Sequence, residues 1–126
     1  MTAPVDFQDI QQLEVAFRAL VTFKFSGDVE ADVFFGSPIM AGALERMLAA
    51  IEAIHRAQDN EARANSWRDM YTLSRAGSRR GIVAEYYHSL PRLSEMSLTD
   101  RVDWLRVCSS PYRFDVATDL ESLLGA

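Results

Sequence analysis

Cysteine, lysine and histidine are all scarce in this chain of 126 residues. The one cysteine, Cys108, excludes an internal disulfide. No nucleophile signature surrounds it, so it reads as a small buried apolar residue. The two histidines, His55 and His88, are too few for the clustered three or four ligands of a zinc site. No run approaches the roughly 18 apolar residues of a membrane span. The opening Met1-Thr2-Ala3-Pro4-Val5-Asp6 lacks the basic and apolar regions of a secretory signal. A cytoplasmic protein with no membrane association is therefore expected. GxSxG, P-loop, GxGxxG and EF-hand patterns are absent, so neither a catalytic residue nor a cofactor is expected.

What is present suits one folded domain over 1–126. Hydrophobic residues make up 48% of the chain and aromatic residues 10%, enough for a core that needs no metal or disulfide. Twelve of the thirteen basic residues are arginine. That bias suggests a GC-rich, bacterial genome, and arginine is the better residue for bidentate and stacked contacts.

Helical spacing dominates the chain. Phe7, Ile10, Leu13, Phe17, Leu20 and Val21 share one face of a helix that Asp6 can cap. Residues 21–35 admit two readings. Val21, Phe23 and Phe25, then Val29, Ala31, Val33 and Phe35, alternate around a Gly27 turn like a hairpin. Asp28 could equally cap a short helix with Val29 and Val33 four apart. Ser37-Pro38 starts a long helix to about Gln58, with Met40, Leu44, Met47, Leu48, Ile51 and Ile54 on one face. Gly42, Ala49, Ala50 and Ala53 form a small-residue flank for a neighbouring helix, and Glu52 with Arg56 forms a pair on the wet side. A break follows at Asp59-Asn60 or at Asn65-Ser66, where Ser66 and Asp69 have capping-box spacing. Trp67, Met70, Tyr71 and Ser74 share a face of the helix that Ala76-Gly77 ends. Ser78 opens another, holding Ile82, Val83, Tyr86, Tyr87 and Leu90 until Pro91. Ser97 and Asp100 repeat the capping box for a helix to about Cys108, and Asp115 caps a last one ending at Leu124. The fold class is mainly α, a compact bundle of about five or six helices, with the 21–35 stretch open between hairpin and helix.

Charge is uneven. Residues 1–62 carry ten acidic and four basic side chains, 63–92 six arginines against Asp69 and Glu85, and 93–126 six acidic and three basic. The net charge of −5 argues against a general affinity for the phosphate backbone. The basic island centres on Arg75, Arg79 and Arg80, in a turn between two helices. A helix-turn-helix reader fits poorly, because the second helix continues Ile-Val-Ala-Glu-Tyr-Tyr-His instead of presenting polar side chains. The arginines could pair with the protein's own carboxylates or hold an acidic partner.

Two ExxH pairs, Glu52/His55 and Glu85/His88, have the spacing of di-iron bundles. Those also need bridging glutamates, for which only Glu14 with Glu45 or Glu121 are candidates, and longer helices than this chain supplies. No metal is expected. The adjacent aromatics Phe34-Phe35 and Tyr86-Tyr87 cannot all face one core, which brings one of each pair to the surface. The expected function is protein binding, as a stoichiometric inhibitor, immunity protein or adaptor, with Arg75, Arg79, Arg80 and Tyr87 as partner-binding residues. An acidic inhibitor is a natural mate for a basic effector. A nucleic-acid-associated regulator using the 75–80 turn is the alternative, and a metal-dependent helical enzyme the third reading. Self-association is compatible with each.

Overall fold

The computed structural model describes residues 9–120. Six α-helices run through them: α1 Ile10–Lys24, α2 Val29–Phe35, α3 Pro38–Ala57, α4 Glu61–Met70, α5 Ser78–His88 and α6 Leu98–Ser109. Short 3-10 turns occupy Leu73–Arg75 and Leu93–Glu95, a π-helical turn spans Val116–Leu120, and no strand occurs among the described residues.

Local side chains explain most helix starts. Ser37 and Ser97 accept hydrogen bonds from the amides of Met40 and Asp100, so α3 and α6 begin where a hydroxyl can satisfy an otherwise orphaned donor. Asp28 does the same for Glu30, which makes residues 29–35 a helix and excludes the hairpin. Within the described residues α1 is capped by Asp9, whose Oδ1 accepts from Gln11; Asp6 and Phe7 lie outside them. The break after α3 falls at Asp59-Asn60. Asp59 takes a positive φ of 57° and Asn60 caps α4. Ser66 and Asp69 consequently sit inside α4 and cap nothing. That helix ends at Met70, earlier than the sequence suggests, because the backbone turns away to pair with the C-terminal segment. Leu73 N donates to Arg113 O and Arg113 N to Tyr71 O, at 2.7 and 2.9 Å. Gly77, with φ of 63°, precedes α5, which Ser78 opens as the sequence suggests. The helix at Asp115 is seen only as the π turn, in which Asp115 Oδ1 accepts from Thr118 N; Leu124 lies outside the described residues.

α3 is the central element. It packs on α4, α1 and α6, while α5 packs on α6 and α2 on α1. Leu44, Leu48 and Ile51 of α3 meet Leu13, Phe17 and Val21 of α1, Trp67 and Tyr71 of α4, Val83 and Tyr87 of α5, and Leu105 and Cys108 of α6 in one buried cluster. Burial of that cluster, at about 1.5–3 kcal/mol per large side chain, is the main force holding the bundle together. The small-residue flank carries a neighbour only in part: Ala50 packs against the core, while Ala49 and Ala53 are exposed. No single helix among the described residues is long and apolar enough to cross a membrane. The α2–α3 pair is apolar over sufficient length, but it is bent by 79° and the apolar face of α3 is in the core.

Candidate functional site

The basic turn is largely committed to the fold. Arg79 Nη1 donates to the Tyr112 hydroxyl at 2.9 Å, and its guanidinium lies over the Phe25 ring at 5.7 Å. Arg80 lies 3.7 Å from the buried carboxylate of Asp119. Arg75 alone of the three is exposed. Tyr87 requires a correction as a docking residue. It is 0% exposed, held in the core beside Val83 and Leu105, so no partner reaches it in the folded protein. The outward members of the aromatic pairs are Phe34, which is exposed, and Tyr86, which is half-buried.

The ExxH pairs separate. His55 and Glu52 are both buried, yet they serve different partners. His55 Nε2 lies 3.0 Å from Glu14 Oε2, and Glu52 accepts two hydrogen bonds from Arg113, at 2.7 and 2.9 Å. The expected surface pair of Glu52 with Arg56 is thus replaced, and Arg56 instead reaches Glu61 at 3.2 Å. The Glu52 carboxylate, through these hydrogen bonds, raises the Arg113 pKa above its ordinary value. Glu85 and His88 are exposed on α5, Glu45 pairs with Arg106 at 3.6 Å, and Glu121 lies outside the described residues. Among the described residues no three His, Cys, Asp or Glu side chains come close enough to hold a metal ion.

The only lysine of the chain is an internal brace. Lys24, 1% exposed, donates from Nζ to the carbonyls of Val107 and Ser110, at 2.9 and 2.6 Å. These carbonyls belong to the C-terminal end of α6, where helical geometry leaves acceptors unpaired and a cation is favoured. Burial lowers the Lys24 pKa to about 8 and raises that of Cys108 to about 12. A thiol so strongly held in its neutral form, with no exposed surface, is a packing residue.

The most exposed large apolar side chains lie elsewhere, on α2 and the start of α3. Val29, Val33 and Ile39 are 81%, 75% and 86% exposed. Val29 and Val33, one turn apart, form an outer apolar stripe, while Ala31 and Phe35 hold α2 to the core. Asp28, Glu30 and Asp32 surround the stripe, and α2 has no basic residue. The two faces of so short a helix are ambiguous in sequence. The signal that could have marked this one is the absence of any basic residue between Lys24 and Arg46, beside three closely spaced acids. Behind α2, a groove of about 470 Å³ separates it from α5 and is lined by aromatic side chains and by Asp32 and Glu85. No protein-family model matches the chain, and no curated protein or solved structure matches it.

Proposed function

We propose that the chain is a small protein-binding protein, acting as a stoichiometric inhibitor, immunity protein or adaptor, and that it takes a basic partner on the outer face of α2. The observation that carries this reading is the exposed Val29–Val33 stripe set among Asp28, Glu30 and Asp32. Exposed apolar side chains rimmed by charge mark interaction surfaces. Covering each valine contributes about 1.5 kcal/mol, while the acids steer a positively charged partner and reject an acidic one. The net charge of −5 acts in the same direction at longer range. A second copy of the chain fits less well, because a two-fold contact on this face would bring both acidic rims together. Nucleic acid has weaker support for the same reason, and because Arg79 and Arg80 already have partners within the fold. A cytoplasmic setting agrees with the free thiol of Cys108.

The test is a parallel affinity purification at low ionic strength with the wild type and a V29D/V33D variant. One basic protein retained stoichiometrically by the wild type, released by salt and lost with the variant, is the expected outcome. Retention of nothing, or equal retention by the variant, refutes the reading. Circular dichroism establishes that the variant is folded, which its exposed positions lead us to expect.

A further inference from the structure

We infer that the groove between α2 and α5 is a pocket for an arginine side chain, presented by the basic partner that docks on α2. The inference rests on the proposed docking reading and adds a specific contact to it. Two carboxylates stand on opposite walls: Asp32 on α2 and Glu85 on α5, both exposed and, among the described residues, neither in an ion pair. The half-buried ring of Tyr86 lines the same groove and supplies its accessible aromatic face, backed by the buried ring of Phe35 at 4.6 Å and a tilt of 48°. A guanidinium is the cation suited to this combination. It donates in a planar fork to carboxylates and stacks its face on aromatic rings, where an ammonium offers only a point charge.

The groove already contains one cation at its floor, and its placement leaves the mouth acidic. Lys24 is turned towards the Val107 and Ser110 carbonyls, with the Phe25 and Phe35 rings 5.3 and 5.4 Å from its Nζ. Two carboxylates face solvent against this single, screened ammonium. Asp32 also joins the groove to the docking face. It stands three positions after Val29 and one before Val33, so it borders the apolar stripe and lines the groove at once. A partner covering the stripe therefore has a charged residue's reach to the groove.

The experiment titrates the full ¹⁵N-labelled chain with N-acetyl-arginine N-methylamide and, separately, with its neutral citrulline counterpart. Saturable amide shifts confined to the groove, including Phe35, Glu85 and Tyr86, are expected with the arginine probe. The citrulline probe should bind at least about tenfold more weakly, since it keeps the shape and loses the charge-assisted bonds. D32N and E85Q should each weaken the arginine probe by roughly two- to fivefold, the range of exposed ion pairs. E85Q carries the test alone if loss of the first-turn charge in D32N unwinds α2. Equal response to citrulline, shifts spread to unrelated acids such as Asp100 and Asp103, or no saturable shift would overturn the inference. The two proposals separate cleanly. Partner capture that depends on Val29 and Val33, without arginine binding in the groove, overturns this one alone. Arginine binding in the groove with no partner captured overturns the docking reading alone.

Discussion

Arg113 reaches from the segment after α6 to the middle of α3 and holds Glu52 by two parallel hydrogen bonds, from Nη1 at 2.7 Å and Nη2 at 2.9 Å. Its backbone meanwhile pairs with Tyr71 and Leu73, so one residue ties α3 to both the C-terminal segment and the chain between α4 and α5. Glu52 is 3% exposed, and removing its partner leaves a buried carboxylate unpaired. R113A is therefore expected to lower stability by about 2–4 kcal/mol, towards the low side of buried pairs because the arginine itself is partly exposed. Replacing both members, as in E52M/R113L, should recover more than half of that loss, since the desolvation penalty goes with the charges. Urea denaturation of the three proteins decides it. A double variant as unstable as R113A would show that the pair stabilises through geometry no apolar residues can supply.

The pH dependence of stability should carry two opposed contributions. A lysine whose folded pKa is about 8, against 10.5 for the ordinary group, leaves the unfolded chain holding more protons between those values. Stability from Lys24 therefore rises with pH from about 8 to 10.5. Cys108, raised from 9.0 to about 12, keeps its proton in the folded state, so stability from it falls between 9 and 12. The wild type should gain stability from about pH 8 and level off near pH 9. K24M should lack the gain, and C108A should continue to gain beyond pH 9. Chemical denaturation at half-unit pH steps measures all three. An unchanged slope between pH 8 and 9 in K24M would contradict the assignment.

Gly36, which ends α2, has ordinary backbone angles, so the reason for glycine there is space. A methyl group at this position would run into the Tyr86 hydroxyl. Tyr86 cannot swing freely, being packed against Phe35. G36A should destabilise the protein by about 1–2 kcal/mol, in the lower part of the usual range for overpacking. Deleting the hydroxyl relieves the clash, so G36A/Y86F should be closer to the wild type than the sum of the single variants predicts. Strict additivity in thermal unfolding would mean that the strain falls elsewhere.

The sequence was legible where a side chain acts on its own neighbourhood. Ser37-Pro38 and Ser97 marked helix starts correctly because an N-cap bond spans only three residues. The core face of α3 was equally clear, since 3.6-residue spacing is a local property. Contacts across long sequence separations were not legible. Glu52 has Arg56 one turn away, yet its partner Arg113 is 61 residues distant, and no local pattern announces that. Residues 21–35 were ambiguous because seven residues fit either period, and the hydrogen bond that Glu30 N donates to Asp28 Oδ1 decided for helix. In the 75–80 turn the charge was visible, while its commitment to Tyr112 and Asp119 depends on how the chain end folds back.

Tyr87 offers the sharpest separation between a packing and a docking role. Its ring is fully buried, and its hydroxyl has no hydrogen-bond partner among the described residues. Burial also raises its pKa, as expected for a phenol denied water. A buried, unpaired hydroxyl costs about 1–3 kcal/mol in desolvation, whereas a paired one contributes roughly 1 kcal/mol. Y87F should accordingly leave stability unchanged or raise it by up to about 1 kcal/mol, since phenylalanine fills the same space without the polar atom. It should also leave partner capture at the wild-type level, because the residue presents no surface. Y87F that is destabilised by a full hydrogen bond's worth would reveal an acceptor for the hydroxyl. A stable Y87F that loses the partner would return Tyr87 to the binding surface and require the bundle to open at α5.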